Sequence, residues 1–375
     1  MIAAASPCFP DEDMPEILNS VQEILRSGRL ILGRYTHEFE ESFRHYVGTE
    51  HAVAVNSCTS ALQISLRFFG AREREVIMPV NNFPGVVTAA ISEGVRPILA
   101  DMDTESFCMD VDDAIKRVTT RTAGMIVVHI AGLVCPEIDR LRTFCKDKGL
   151  FLIEDASHAH GADIDGRKTG SLADAACFSF YPTKIITTGT GGMITTSEPE
   201  LADYARSVRH HGQGSDRSLF ARSGNDWCLG EIQAVLGLQQ LRRLDENVAH
   251  RNAIVRRYAK GLEGEDWLTI PEYPDNFRHA YYKFPVLLHE SLDTRRFREI
   301  LGRDFRVENG TIYDPPCHLQ PVFSDLLDLH EGHFPNAEAG LARQLCPPIH
   351  STLAFDEVDR AIHAMRSVAE TVARA

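Results

Sequence analysis

Phe178-Ser-Phe-Tyr-Pro-Thr-Lys184-Ile-Ile-Thr-Thr-Gly-Thr-Gly-Gly192 places a lone lysine after an apolar strand and before a run of small hydroxyl and glycine residues. Twenty-nine residues before Lys184, another apolar strand, Phe151-Leu-Ile-Glu-Asp155, ends on two carboxylates. A run of threonine and glycine can fold closely around a planar, phosphorylated ligand. Desolvation beside an apolar strand lowers a lysine pKa and favours the free amine. An amine that can form an imine, with a carboxylate able to hold a pyridinium nitrogen, is what pyridoxal 5′-phosphate (PLP) requires of a protein. Side chains alternate along a strand, so Asp155 is expected to face the ligand and Glu154 the opposite side.

Outward from this pair, short apolar runs alternate with amphipathic segments. Strands are predicted at Ala52–Val55, Val76–Met78, Pro97–Ala100, Met125–His129, Phe151–Asp155, Ala175–Phe180 and Met193–Thr196. Helices are predicted at Ser60–Phe69, Val86–Glu93, Val111–Val118 and Glu137–Lys148. This alternation is the pattern of an α/β domain with a large, mostly parallel sheet, whose ligands bind at the carboxyl ends of the strands. An earlier helix spans roughly Glu12–Ser27 and stops at Gly28, and a long helical stretch, Glu231–Leu262, links to a different texture. From about residue 265 the chain reads as a strand (Ala280–Leu288), a helix (Thr294–Leu301), a proline-rich loop and two closing helices. The expected organisation is a large domain over residues 1–245, including the N-terminal helix, and a linker helix with a smaller α+β domain over 246–375.

Composition narrows the classes of function. The chain has 375 residues, 43% hydrophobic and 25% charged, with a formal net charge of −14. That sign argues against general binding to nucleic acid or an anionic membrane, so a phosphate site would be local and built from backbone amides. The nine cysteines are scattered with no CxxC pair, so neither a metal site nor a disulfide framework is expected. The N-terminal stretch has no signal-peptide pattern, and no run approaches the about 20 apolar residues of a membrane span. The expectation is a soluble, cytoplasmic protein.

Two further stretches converge on the strand ends. Asn56-Ser-Cys-Thr-Ser60 follows a strand and opens a helix, where backbone amides and hydroxyls can hold a phosphate, or simply cap the helix. Ser179 is a second hydroxyl candidate. In Met78-Pro-Val-Asn-Asn-Phe83 an aromatic ring just beyond a strand can cover one face of the cofactor or belong to the core.

These motifs together resemble the DegT/DnrJ/EryC1/StrS family of PLP-dependent aminotransferases, which act mainly on nucleotide-linked keto sugars. The resemblance runs from about residue 10 to 370. It includes Ser27-Gly-Arg-Leu-Ile-Leu-Gly33, Asn56-Ser-Cys-Thr-Ser-Ala-Leu62, Glu154-Asp-Ala-Ser-His-Ala-His-Gly-Ala162, the lysine segment, His211-Gly212, Glu231-Ile-Gln-Ala234 and His318-Leu-Gln-Pro321. It implies a fold type I (aspartate aminotransferase-like) architecture and a homodimer with shared active sites. By the same resemblance Lys184 forms the internal aldimine and shuttles a proton, and Asp155 pairs with the ring nitrogen. Cys58, Thr59 and Ser179 face the phosphate, Phe83 stacks, and His158 stands near the phenolic oxygen where the family usually has glutamine. The implied reaction is ping-pong transfer from L-glutamate or L-glutamine to a keto sugar. A cyclitol or other non-nucleotide ketone as acceptor, or a non-catalytic homologue, stays open. Lys184 argues against the sugar dehydration seen where histidine replaces the lysine.

The sequence departs from the family pattern at several positions. Cys58 replaces a usual glycine, and Ile185 and Thr190 replace asparagine and glutamate. Asp226 and Cys228 stand where asparagine and arginine are common, so either Asn225 takes over that phosphate contact or the contact is remodelled. Tyr313 and His318, with His211 and the loop His210–Gly224, are candidates for the substrate side. The proline-rich turn at 313–321 can equally be structural, and His211 can be a helix-end cap.

Overall fold

The computed structural model describes residues 1–214, 216 and 218–373. Ser215 and Arg217 of the expected substrate loop lie outside the described residues. Nine strands fall between residues 51 and 196: β1 His51–Val55, β2 Glu75–Pro79, β3 Arg96–Ala100, β4 Thr122–Val128, β5 Phe151–Asp155, β6 Asp163–Ile164, β7 Arg167–Lys168, β8 Ala175–Ser179 and β9 Gly192–Thr196. All but β6 and β7 form a seven-stranded sheet in the order β1-β9-β8-β5-β4-β2-β3. From β8 to β3 all neighbours are parallel. β9 runs antiparallel to both of its neighbours, so β1 points the same way as the parallel strands. Every residue of β2, β4 and β5 is buried, as helices on both faces of a parallel sheet require.

Each of the seven predicted strands is a strand of this sheet. Four short strands follow: β10 Leu268–Thr269, β11 Phe277–Arg278, β12 Val286–Leu288 and β13 Gln344–Leu345. β11 extends the β6–β7 hairpin, and β12 is the centre of a second small sheet with β10 and β13.

Two expectations are corrected. The stretch Glu231–Leu262 is not one helix but two, Glu231–Arg242 and Leu244–Gly261. The break is at Arg243, whose ψ of 0° leaves the helical range and whose guanidinium is drawn to Asp13 at 2.6 Å and 2.7 Å, and to Glu12. The apolar periodicity runs on across that single residue, so it carries no mark of the break. The predicted strand Ala280–Leu288 shrinks to Val286–Leu288, because residues 280–283 dock elsewhere. Ala280 N–H donates to Gly132 O at 2.8 Å and Lys283 N–H to Ala131 O at 3.2 Å. Gly132 has φ +103°, and a Cβ there would lie 2.8 Å from Tyr281 N. Only glycine permits this approach.

Glu231 shows how distant motifs are joined. Its buried carboxylate accepts the backbone N–H groups of Gly33, Tyr35 and Thr36, each at 2.9 Å, capping the helix Arg34–Val47 from almost two hundred residues away. Two large apolar cores form, beside a small cluster of Ile17, Ile24 and Val235 under the first helix. One surrounds the large sheet and also takes in Ile312, Phe323, Phe334 and Leu341. The other gathers Ile254, Tyr258, Phe284, Phe297 and Met365 with Ile2. Among the described residues no helix is long and apolar enough to cross a membrane.

Candidate active site

A cavity of about 450 Å³ opens at the carboxyl edge of the large sheet. Lys184, Asp155, His158, Cys58, Thr59, Ser179, Phe83 and Tyr313 all line it. Residues from five separate stretches, predicted from sequence, are thus brought to one place by strands that point the same way.

Lys184 sits in a tight loop between β8 and β9. Its N–H donates to Tyr181 O at 2.9 Å, and Phe180 N–H bonds Gly191 O at 2.9 Å, closing the loop onto β9. The ammonium lies 4.4 Å from the centroid of the Tyr282 ring. Tyr282 is fixed in turn by a 3.0 Å hydrogen bond between its hydroxyl and Thr183 Oγ1. Burial pushes the Tyr282 phenol up, but the charges of Lys184 and Lys283 and the Thr183 hydrogen bond outweigh it and hold the group below its ordinary pKa.

Asp155, at the end of β5, is almost fully buried and accepts the Ser157 N–H at 2.9 Å. Glu154 points to the other face, as strand alternation requires. There it accepts the N–H groups of Gly170 (2.8 Å), Leu172 (2.7 Å) and Ala173 (3.1 Å) and lies 2.9 Å from His129 Nε2. His129 Nδ1 accepts the Cys135 N–H at 3.1 Å, so its ring proton is on Nε2 and is donated to Glu154. The two adjacent carboxylates therefore divide: one faces the cavity, the other holds a turn.

The helix Cys58–Phe68 begins at the rim. Ser57 caps it by accepting Ser60 N–H at 3.1 Å, which leaves the N–H groups of Cys58 and Thr59 without an intrahelical acceptor. A Cβ at Gly192 would lie 2.4 Å from Ser57 C, so glycine is what lets β9 pack against this turn. Burial, reinforced by Asp155, pushes the Cys58 thiol well above its ordinary pKa. It stays neutral, and adds no negative charge beside an anion.

His158 accepts the Ala131 N–H on Nδ1 at 3.3 Å, and its Nε2 is 2.7 Å from the Tyr313 hydroxyl. Its ring lies 4.3 Å from that of Tyr282. His318 is elsewhere: it is fully buried with Nε2 2.8 Å from Glu338, against the Phe334 ring, and does not line the cavity. His211 is exposed and also away from the cavity, with its N–H on Asn225 O at 2.9 Å. Asp226 pairs with His210 through the backbone, while the Asn225 side chain accepts the Asp226 N–H at 2.9 Å. Tyr282 and Lys283, both on the cavity wall, escaped the sequence reading. The one available signal was an adjacent Tyr-Tyr-Lys, and period-two patterning absorbed it into a strand.

Two buried histidines near these segments set an acid limit. Burial, then the Lys184 charge, holds His160 down to about 3, and burial alone holds His279 to about 3. Unfolded histidine takes up a proton near pH 6.5, so these rings contribute stability that is fully present above that pH and lost as the pH falls toward 3. The slope is up to roughly 1.4 kcal/mol per pH unit for each ring. Thermal melting temperatures are expected to fall between pH 6.5 and 5; a flat profile would contradict neutral burial.

The profile of the DegT/DnrJ/EryC1/StrS aminotransferase family matches residues 11–366. The chain belongs to that family. GDP-perosamine synthase of Caulobacter vibrioides is 35% identical over 98% of each chain. The dTDP-3-amino-3,4,6-trideoxy-alpha-D-glucose transaminase of Micromonospora megalomicea is 33% identical over 96% of each. Among solved structures, Spr1654 from Streptococcus pneumoniae in its PLP form superposes with a TM-score of 0.91 at 25% identity, covering 99% of this chain and 100% of that one. This DegT-family aminotransferase has the fold type I architecture of PLP-dependent transferases. The residues around its cavity fit such a cofactor by their chemistry: an amine, a buried carboxylate, unpaired helix amides and an aromatic ring.

Proposed function

We propose that this aminotransferase takes an amino group from L-glutamate or L-glutamine and delivers it to a keto sugar carried on a nucleotide, with PLP as cofactor. The observation that carries the reading is the meeting of Lys184, Asp155, the Cys58–Thr59 amides and Phe83 on one cavity. Relatives named for GDP- and dTDP-linked amino sugars support the acceptor class.

PLP, when bound, supplies an aldehyde that exchanges with amines and a ring that takes up the electron pair left at carbon. Lys184 would hold that aldehyde carbon through its amine and, when the amine is free, would carry a proton beside it. Asp155 holds the proton on the ring nitrogen. The Cys58 and Thr59 amides, with the Thr59 and Ser179 hydroxyls, hold the phosphate. Phe83 covers one face. In this reading the two substrates would use the Lys184 cavity in turn. The reading includes a two-fold dimer, supported by exposed Leu18, Leu25, Leu30 and Ile31 on and just after the first helix.

The test is the absorption spectrum of protein purified with PLP, before and after each amino acid. The expected result is a visible band that L-glutamate or L-glutamine bleaches and a nucleotide-linked keto sugar restores. A visible band that no amino acid moves would refute the transamination reading.

A further inference from the structure

The hydrogen bonds around His158 leave its imidazole no proton to offer the cavity. Nδ1 is occupied as an acceptor by the Ala131 N–H, so the ring proton sits on Nε2, and Nε2 is 2.7 Å from the Tyr313 hydroxyl oxygen. The imidazole therefore donates to the phenol. The phenol, having accepted, keeps its own O–H, and Tyr313 lines the cavity. Of this pair, the proton free to reach a ligand belongs to Tyr313.

The surroundings keep both groups in these forms. Burial, then the charges of Lys184 and Lys283 and the neighbouring His160, hold His158 well below the usual histidine range. Burial, with Tyr282, Asp155, Cys317 and Cys58 alongside, pushes the Tyr313 phenol well above its usual range. The imidazole stays a neutral ring with one proton, and the phenol stays protonated.

The order of the sheet says which ligand atom this proton meets. In PLP the ring nitrogen and the aldehyde-bearing carbon are opposite each other. The carbons bearing the phosphate arm and the hydroxyl flank the aldehyde-bearing carbon on its two sides. With Asp155 and Lys184 marking the ends, the phosphate arm of a bound cofactor would point to the Cys58–Thr59 amides after β1. β1 lies on one side of β5, beyond β8 and β9, and β4 lies on the other. His158 is tied to the β4 side through Ala131, so it and Tyr313 stand on the side where the hydroxyl of a cofactor so oriented would fall.

We propose that Tyr313, rather than His158, donates the hydrogen bond to the phenolic oxygen of the bound cofactor, and that His158 is a positioning residue that orients the phenol. This rests on the reading above that the cavity holds PLP. It departs from a direct imidazole contact, and it makes the substrate-side loop around residue 313 part of the cofactor site.

The test is a pH titration of the visible absorption of the PLP-loaded protein, for wild type, Tyr313→Phe, His158→Gln and the double variant. A phenolic oxygen deprived of its donor, with the nitrogen that shares its proton, ionises at higher pH. The transition is expected to rise by about one pH unit in Tyr313→Phe, the size expected for loss of one hydrogen bond to a charged oxygen. It should rise less in His158→Gln, and no further in the double variant than in Tyr313→Phe. An unmoved transition in Tyr313→Phe, or a larger shift in His158→Gln, would overturn the relay while leaving the cofactor reading intact. Wild type that takes up PLP without any visible band would overturn both.

Discussion

Lys184→Ala is expected to lower the rate of amino transfer by at least about 10⁴-fold, because one residue performs two separate tasks. In the proposed reaction its amine would be the attachment point for the cofactor aldehyde, and the same amine would then move the proton on which transfer depends. The other ammonium on the wall, Lys283, is held at its backbone by Ala131 O, with its Nζ 5.9 Å from the Tyr282 centroid against 4.4 Å for Lys184. The loop carrying Lys184 is closed by backbone bonds that alanine keeps, so the fold should persist. Borohydride reduction followed by peptide mapping supplies a readout independent of turnover. Wild type should carry a pyridoxyl group on Lys184, and the variant none. A variant within tenfold of wild-type rate would remove Lys184 from the chemistry.

Glu154→Ala is expected to cost about 4 kcal/mol of folding stability, an unusually large loss for one side chain. The wild-type carboxylate satisfies three backbone N–H groups and the His129 ring in a fully buried site. Alanine strands all four donors without access to water, and each buried donor left unpaired carries its own desolvation cost. Glu154→Gln keeps one acceptor oxygen and should fall between the two. Denaturant titration of cofactor-free protein measures this directly. A loss under 1 kcal/mol would mean that water or rearrangement satisfies the turn at 170–173. The adjacent Asp155 makes the contrast instructive, since its replacement acts on the cavity instead.

How much of this was legible in the sequence differs from residue to residue. The strands of the large sheet were readable because burial on both faces writes an unbroken apolar run. Asp155 and Glu154 could be told apart by alternation alone, with no knowledge of what either touches. The His318 motif was readable as a pattern, but its burial against Glu338 depends on how the 321–342 segment packs onto the large core. Tyr282 and Lys283 reach the cavity through contacts with Ala131 and Gly132, about 150 residues away, and no local pattern encodes that. The partnership of His158 with Tyr313 is likewise a meeting of two distant loops.

The strap at residues 280–283 belongs to one core by chain and to the other by hydrogen bonding, and Arg251 grips it again by donating to Tyr281 O at 3.0 Å. It also supplies the ring beneath Lys184. The strap thus joins the two apolar cores beside the cavity, a seam at which Tyr282 and Lys283 line the wall. Anything that binds there favours the joined state over every state in which the cores have parted, and does so by mass action. Filling the cavity raises the cost of any opening that breaks it by the same amount as it raises the cost of unfolding the whole chain.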